Sequence, residues 1–402
     1  MSSNPATKAH KLKIDLQYYD AKHQSLLAEG TYRTLGTAAK VKSFKTTSEI
    51  FLADFLNYFL IHRANNPSYA TYKARRKYLK QASDWIDGVL NINDTINCLQ
   101  GSEGLQEKVG EAVSLSVASV MFGLTAADWT TIPEQRGLTA HPTFDFERIL
   151  VGITNKNEVI QIEAKGSFVK DNNVNQEAVV AQARKIEKKK IKIAKAGAYK
   201  HPAFARYGMI ASIDPSNTAK CLLLDPPSDQ VPGNPSDIKI ASRLEYVASI
   251  VSLLAPKASL ADALETRAAL WRQGKASDEP ETLRSKTGHA YTARNYVEDF
   301  FANGKVWMED RDIVGQVYCN KSGRAFFLGL HGDVIRTAIQ QDPKVIIQAH
   351  YEPSSKQLEI LARPVHLDQD IKDAPRYMSM IFHTASSGVV LGFPSDSYSG
   401  LG

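Results

Sequence analysis

The chain has 402 residues, of which 43% are hydrophobic and 23% charged, so its composition is that of a globular protein with two or three domains. Its formal net charge of +6 favours an anionic partner over a cationic one. The three cysteines are far apart and form no metal-ligand pattern, no apolar run is long enough to span a bilayer, and we expect no secretory signal. We therefore expect a cytoplasmic protein without zinc, disulfides or membrane contact.

Residues 1–100 are expected to form a mostly helical region after an extended start. Apolar residues recur with a helical period in 49–63 and again in 73–90. The first two turns of the second helix are strongly basic, with Lys73, Arg75, Arg76, Lys77 and Lys80. Such a run most often forms a solvated face, and contact with DNA is the alternative.

Residues 101–227 are expected to form a second unit with the element order helix, strand, strand, helix, strand. Helices are indicated by apolar residues at spacings of three and four, and strands by β-rich runs on either side of a polar turn at 155–158. The predicted elements are a helix at 105–124, strands at 144–154 and 159–165, a basic helix at about 176–196 and a strand at 207–213.

Residues 228–402 are expected to form a mixed α+β domain of unknown role. A proline-rich segment at 225–237 is the clearest linker of the chain. This domain shows no catalytic motif, and from residue 370 onward the chain is less periodic and is expected to end in a flexible, serine- and glycine-rich tail. The predicted elements are helices at 238–255, 260–273 and 334–340, strands at 314–319, 345–350 and 358–362, and a polar loop at 278–287.

Three charged residues are predicted to meet at one end of the hairpin in the second unit. Asp145 lies at the start of the first strand, and Glu163 and Lys165 lie near the end of the second. Because Glu163 and Lys165 are two residues apart, their side chains point to the same face of the sheet. Buried charges cost free energy unless they have partners, and a divalent cation would be a partner for both carboxylates.

Such a cation would give the site a specific chemistry. Mg²⁺ takes oxygen ligands from carboxylates and from substrate phosphate, polarises the phosphoryl oxygen and lowers the pKa of a bound water. Lys165 would stabilise the developing charge or orient the attacking water. The predicted reaction is phosphodiester hydrolysis, and the alternative is a surface ion pair between Asp145 and Lys165 at the end of the hairpin.

Asp145 followed by Glu163-Ala164-Lys165 resembles motifs II and III of the PD-(D/E)xK nuclease superfamily, which includes the restriction endonucleases. The resemblance covers the second unit and implies an α/β (α+β) fold whose restriction-endonuclease-like core has the order αβββαβ. One strand of that core is not separately recognisable in the sequence, and residues 126–132 are the candidate for it.

The same resemblance implies the remaining site residues and the cofactor. Glu111, or less favourably Glu107, would join Asp145 and Glu163 in holding Mg²⁺, with Mn²⁺ as the alternative ion. A polar residue on the helix after the E-x-K strand would also take part in catalysis, and Gln182 is the choice in this sequence.

An E-x-K triplet alone does not predict an active site, and the elements around it decide how it is interpreted. A second triplet, Glu187-Lys188-Lys189, lies in the predicted basic helix and is not expected to be catalytic, whereas the first lies on a strand with an upstream acid. Phe144 stands where the family has a proline, a departure that the family tolerates.

The predicted helix at 176–196 supports a nucleic-acid partner. Between residues 184 and 195 it carries seven basic residues and one acid. A solvated face is the alternative, but beside a metal site these cations are expected to contact backbone phosphates rather than bases. The residues predicted to bind nucleic acid are Arg184, Lys185, Lys188, Lys189 and Lys192.

The expected function is that of a Mg²⁺-dependent nuclease, with DNA favoured over RNA as substrate. The resemblance implies a setting in restriction or another defence against foreign DNA. Because the sequence has neither a Walker A loop nor a dinucleotide fingerprint, any energy would come from a partner such as a helicase or ATPase subunit. A non-catalytic nucleic-acid-binding or structural subunit of the same fold, and an effector active only with a partner protein, are the alternatives. The oligomeric state is left open.

Overall fold

Two mixed β-sheets with helices packed around them make up the described part of the chain, which belongs to the α+β class. The structure is a computed structural model and describes residues 10–30, 33, 35–62, 71–84, 103–132, 144–150, 158–169, 175–194, 203–214, 218–224, 235–303, 307–309, 313–320, 323–367 and 373–395. Within these ranges no helix is long and apolar enough to cross a membrane.

The first sheet contains seven described strands and carries the charged residues of the predicted hairpin. In chain order the strands are β1 (Lys11–Tyr18), β2 (Glu49–Phe51), β3 (Thr130–Thr131), β4 (Phe146–Leu150), β5 (Glu158–Phe168), β6 (Ala205–Ile213) and β7 (Ala219–Leu224). Their order across the sheet is β2, β1, β7, β6, β5, β4, β3. β5 and β6 are parallel, as are β1 and β7, and the other neighbouring pairs are antiparallel.

Helices cover both faces of this sheet. In chain order the helices that precede the second sheet are α1 (Ala21–Ala28), α2 (Thr37–Thr47), α3 (Leu52–Leu60), α4 (Tyr72–Ser83), α5 (Glu103–Phe122), α6 (Glu177–Ala194), α7 (Pro235–Leu254), α8 (Ser259–Arg272) and α9 (Tyr296–Asn303). α5 packs against one face of β5 and β6, and α6 packs its Ile186 against Ile210 and Leu224 on the other face. β6 is buried along its whole length because both of its faces are covered.

α5 crosses β5 at a contact between two glycines. A Cβ on Gly110 would overlap the backbone N of Gly166, and a Cβ on Gly166 would overlap the carbonyl oxygen of Gln106. Neither position accepts a side chain unless the helix moves away from the strand. The contact therefore fixes α5 directly behind the part of β5 that carries Glu163 and Lys165.

The second sheet is built from the last third of the chain. Its strands are β8 (Trp307–Glu309), β9 (Ile313–Cys319), β10 (Ala325–His331), β11 (Ser354–Ala362), β12 (Val365–His366), β13 (Arg376–Thr384) and β14 (Val389–Pro394). Their order is β11, β13, β14, β10, β9, β12, with β8 also paired to β9. Two further helices, α10 (Gly332–Gln340) and α11 (Pro343–Gln348), follow β10.

One hydrophobic core connects the two sheets. It includes Ile14 of β1, Phe55 of α3, Val109 of α5, Val251 of α7 and Leu391 of β14, all of which are almost completely buried. Strands β1 and β2 belong to the predicted N-terminal unit, yet they extend the sheet of the predicted second unit. The boundaries at 100/101 and 227/228 stay predictions.

Buried polar side chains from distant parts of the chain meet between the sheets. Asp54 Oδ1 accepts hydrogen bonds from the backbone N (2.8 Å) and the Oγ (2.7 Å) of Ser386. Asn57 Nδ2 donates to Ser387 Oγ (2.8 Å), and the Tyr246 hydroxyl donates to Asn57 Oδ1 (2.8 Å). We call these five residues the polar junction, and it links α3, α7 and the turn between β13 and β14.

Most of the predicted elements are confirmed to within a few residues. The helices at 105–124, 238–255, 260–273 and 334–340 and the strands at 207–213, 314–319 and 358–362 are present, and a two-residue strand, β3, lies within 126–132. The predicted helix at 49–63 begins after a short strand, and those at 73–90 and 176–196 are seen as far as residues 83 and 194. Residues 151–157, around the predicted turn, and 225–234 of the predicted linker lie outside the described residues.

One prediction for the last third is wrong. Residues 345–350 are not a strand, because Asp342 caps a helix through the backbone N atoms of Lys344 (2.9 Å) and Val345 (3.4 Å), and Pro343 suits its first turn. Beyond residue 370, where the sequence is less periodic, β13 and β14 form antiparallel ladders with β11 and β10, and residues 396–402 of the expected tail lie outside the described residues.

Candidate active site

The three charged residues predicted to meet do so where β4 begins, beside the middle of β5. Phe146 pairs with Ile162 across these strands, so Asp145, one residue before β4, lies beside Glu163. Lys165 Nζ lies 3.3 Å from Asp145 Oδ2 and 2.7 Å from Glu163 Oε1. The ammonium of Lys165 thus bridges the two carboxylates.

The backbone of β5 orients Asp145. The N–H of Ala164 donates a hydrogen bond of 3.0 Å to Asp145 Oδ2, the same oxygen that faces Lys165. Its other carboxylate oxygen, Oδ1, is left pointing towards α6. The middle residue of the E-x-K triplet therefore contributes through its main chain, although its side chain packs on the opposite face of the strand.

Glu163 is the most deeply buried of the charged residues in this cluster, with 1% of its surface exposed. Burial and, to a smaller extent, the neighbouring Asp145 raise the pKa of Glu163 to about 7, against the opposing effects of Lys165 and Lys189. Burial alone would lower the pKa of Lys165, but the two carboxylates outweigh it and hold that pKa above its usual value. Lys165 is therefore a permanent cation in this site.

A second lysine enters the site from α6. Lys189 Nζ lies 2.6 Å from both Glu163 Oε1 and Oε2, and 3.8 Å from Asp145 Oδ1. It also lies 6.0 Å from the centre of the Phe144 ring, which is fully buried at the end of the hairpin. The sequence predicted that Lys189 contacts phosphate and assigned its E-x-K triplet no catalytic role, so its position among the carboxylates was missed.

Glu111 is not brought into this cluster. Its buried carboxylate pairs with Lys108 on the same helix at 3.3 Å, and the Lys108 ammonium lies over the Tyr78 ring. Among the described residues, no group of three or more His, Cys, Asp and Glu side chains is placed to hold a metal ion. Of the three residues predicted to bind the metal ion, Asp145 and Glu163 lie together, and Glu111 does not join them.

Gln182 lies on α6 two turns before Lys189, which puts both residues on the same face of the helix. Its Oε1 is buried and has no hydrogen-bond partner in the described part of the chain. The hydroxyls of Ser167 and Ser212 are also buried without a hydrogen-bond partner in the described part of the chain. These two residues lie opposite each other on β5 and β6. Since Ser167 is two residues beyond Lys165, unsatisfied polar groups continue along the face of β5 that carries the charged residues.

The remaining basic residues of α6 form a solvent-exposed face. Arg184, Lys185, Lys188 and Lys192 are exposed, and the acid among them, Glu187, lies 3.8 Å from Lys22 Nζ. Because Lys189 is on the same helix, this basic face adjoins the carboxylate cluster. A polyanion bound along it would lie close to Asp145 and Glu163.

The donor chemistry of the cluster fits a hard divalent cation. Asp145 and Glu163 offer carboxylate oxygens, the ligands that Mg²⁺ and Mn²⁺ prefer, on rigid strands that converge at one point. The two acids already attract two ammonium groups, so a metal ion would have to compete with these cations. With two protein carboxylates, water and substrate would have to complete an octahedral shell.

No family model, no curated protein and no solved structure matches this chain.

Proposed function

We propose that the chain is a metal-dependent nuclease of the PD-(D/E)xK type, and the observation that carries the proposal is the convergence of Asp145, Glu163 and Lys165. Lys165 lies within hydrogen-bonding reach of both acids, at the start of β4 and next to a basic helix. The succession α5, β3, β4, β5, α6, β6 also has the order of a restriction-endonuclease-like core, with an antiparallel meander followed by a parallel strand.

Asp145 and Glu163 would hold Mg²⁺, or Mn²⁺ as the alternative ion. Bound there, the ion would polarise a phosphoryl oxygen of the substrate and make a water molecule more acidic. The water oxygen attacks phosphorus, the P–O bond to the leaving alcohol breaks, and the proton of the water ends on that alcohol or on solvent. Hydrolysis leaves a phosphate monoester and a free hydroxyl.

The chain's own residues position the reacting groups. The Ala164 N–H fixes the Asp145 carboxylate, and the pairing of β4 with β5 keeps Glu163 beside it. Lys165, held as a cation by both acids, stabilises the negative charge that develops on the phosphoryl oxygens. Gln182, with its buried unsatisfied oxygen, would help to orient the water.

The substrate proposed is nucleic acid, with DNA favoured and RNA as the alternative. Arg184, Lys185, Lys188 and Lys192 form the exposed basic face that would contact backbone phosphates. Such contacts carry no sequence information, so the proposal does not extend to a recognition sequence. The setting proposed is cytoplasmic defence against foreign DNA, alone or with a partner such as a helicase or ATPase subunit.

The test is a cleavage assay on plasmid, linear duplex and single-stranded DNA and on RNA, with Mg²⁺, Mn²⁺ or EDTA. We expect metal-dependent degradation by the wild type, and a loss of at least about 10²-fold in Lys165→Ala, because the group that stabilises the developing charge is removed. Lys257→Ala is the matched control, because Lys257 is an exposed lysine in the turn that follows α7 and is not part of the proposed site. Equal activity of the wild type and Lys165→Ala would refute the assignment.

A non-catalytic nucleic-acid-binding subunit with the same fold is the second candidate. It is favoured by Lys189, because two ammonium groups neutralise the two carboxylates without any metal. This candidate predicts tight, salt-sensitive DNA binding with no cleavage under any metal condition. An effector that needs a partner protein would instead become active when that partner is added.

A further inference from the structure

We propose that the Lys189 ammonium fills the position of the divalent cation in the metal-free protein, and that metal binding displaces it towards the substrate phosphate. The inference deepens the proposed nuclease function and rests on it. Lys189 would then be a positioning residue: whether the carboxylates hold a metal ion would decide whether its ammonium contacts them or joins the basic face of α6.

The distribution of partners over the carboxylate oxygens carries this inference. Asp145 Oδ2 is occupied by the Ala164 N–H and by Lys165, and Glu163 Oε1 is shared by the two lysines. The remaining oxygens, Asp145 Oδ1 and Glu163 Oε2, face Lys189 at 3.8 Å and 2.6 Å. A metal ion held by the two acids would compete with Lys189 for these oxygens.

Charge balance leads to the same conclusion. When Glu163 is ionised, as metal binding requires, two carboxylates and two ammonium groups sum to zero, and this neutrality compensates the buried charge. A divalent cation added to that set would leave two uncompensated positive charges within a few ångströms. One ammonium must therefore leave when the ion arrives.

Lys189 is the ammonium that can leave at low cost. Lys165 is on the same strand as Glu163 and contacts both acids, at 3.3 Å from Asp145 and 2.7 Å from Glu163. Lys189 reaches the cluster from a separate helix whose neighbouring residues, Lys188 and Lys192, are exposed. Its four-carbon side chain can swing its charge to the solvent side by rotation about its own bonds, without any backbone movement.

The released ammonium has a destination. Lys189 is on the same helix as the exposed basic face, so the displaced group joins the cations that would contact the substrate backbone. Metal binding would thereby complete the phosphate-binding surface, and a bound phosphate would hold Lys189 away from Glu163. Metal and nucleic acid would each promote the binding of the other.

The first experiment measures Mg²⁺ affinity by isothermal titration calorimetry in the absence of nucleic acid. Lys189→Met removes the competing charge while keeping the length of the side chain, and we expect its Kd for Mg²⁺ to fall by at least about tenfold, which is about 1.4 kcal/mol. Lys188→Met, at the adjacent exposed position, is the matched control and should bind Mg²⁺ as the wild type does. Lys189→Arg, which keeps the charge, should bind no more tightly than the wild type.

A second measurement uses the unmodified protein and does not depend on whether the variants fold. The wild type is acylated briefly with an amine-reactive ester, with and without saturating Mg²⁺, and the extent of reaction at each lysine is read by mass spectrometry. We expect the reaction at Lys189 to become several-fold faster with metal, and the reaction at Lys188 to stay constant.

The outcomes separate this inference from the proposed function. A wild type that cleaves DNA with Mg²⁺, but shows neither tighter metal binding in Lys189→Met nor faster acylation of Lys189, would overturn the inference and leave the nuclease assignment intact. A wild type and a Lys189→Met variant that both bind no Mg²⁺ would overturn both. Tighter metal binding in Lys189→Met together with metal-induced acylation of Lys189 would support the displacement.

Discussion

Gly110 of α5 and Gly166 of β5 face each other so closely that neither has room for a methyl group. The contact is one residue away from Lys165 along the strand. This close contact explains why glycine occurs at these two positions, although glycine is unfavourable within a helix and within a strand. The position of the E-x-K strand relative to the first core helix is set by this contact.

Gly110→Ala should destabilise the protein. At an exposed helical position the same change is stabilising by up to about 1 kcal/mol, but here the added Cβ pushes the helix off the strand and should cost about 1–3 kcal/mol. The free energy of unfolding from urea titration measures the effect. Val120→Ala, at an exposed position of α5, should stay within about 0.5 kcal/mol of the wild type. A stabilised Gly110→Ala would contradict the close contact.

The exposed basic face of α6 predicts a change in the salt dependence of DNA binding. The double variant Arg184→Ala/Lys188→Ala removes two proposed phosphate contacts, so the slope of log K against log salt should decrease by about 2. Fluorescence anisotropy at several salt concentrations measures this slope. Lys73→Ala/Lys77→Ala removes two exposed cations of α4 and should leave it unchanged. A larger decrease of the slope in the α4 variant than in the α6 variant would show that DNA binds along α4 instead.

The buried pair of Arg243 and Asp128 should be far more important for stability than an exposed pair of the same type. Arg243 donates to both oxygens of Asp128, at 2.7 Å and 3.0 Å, and also to the carbonyl oxygens of Ile346 and Ala349. Arg243→Met leaves the Asp128 charge buried without this partner and should cost about 3–5 kcal/mol.

The control for this prediction is the exposed pair of Arg272 and Glu245. Arg272→Met should lower the free energy of unfolding by no more than about 1 kcal/mol, because solvent screens an exposed pair. Chemical denaturation of both variants under the same conditions gives the comparison. Losses of similar size would show that burial does not strengthen the Arg243 pair.

His383 predicts a loss of stability in acid. Burial lowers the pKa of His383 to about 3, with a smaller contribution from His10. Because the folded state binds the proton more weakly than the unfolded state, whose pKa is near 6.5, the stabilisation is complete above about pH 6.5 and decreases as the pH falls towards 3. The slope from this group is about 1.4 kcal/mol per pH unit in that window.

The measurement is the free energy of unfolding at several pH values between 7 and 4 for the wild type and His383→Gln. A glutamine can still form a hydrogen bond with Ser355, whose Oγ lies 2.8 Å from His383 Nδ1. It does not titrate, so the variant should lose less stability in acid than the wild type. Parallel pH curves would show that His383 is not the responsible group.

Local sequence pattern was sufficient for most helices and for the strands with clear alternation. α5 and α7 could be predicted because a continuous apolar face is a local property of the sequence. The error at 345–350 arose because an apolar run was given more weight than the Asp342-Pro343 start signal before it. The pairing of β1 with β7, where Ile14 lies opposite Ala219, has no local signal.

The candidate site was predictable in part, for a similar reason. Glu163 and Lys165 share a strand face by their spacing alone, and the hairpin brings Asp145 to them. The position of Lys189 depends on how α6 packs on the sheet, although its seven-residue spacing from Gln182 was a usable signal. Glu111 was assigned by resemblance, and its pairing with Lys108 depends on the packing of α5 and cannot be read from the spacing.

The polar junction has a consequence for the order in which the molecule can assemble. Asp54 and Asn57 are made early in synthesis, but their partners Ser386 and Ser387 are made more than three hundred residues later. Until these partners are synthesised, burial of the polar side chains of α3 costs free energy because they lack hydrogen-bond partners. We therefore expect α3 to reach its native packing only after the chain has been completed. Completion of the core should therefore be a late, slow event governed by contacts between distant parts of the chain.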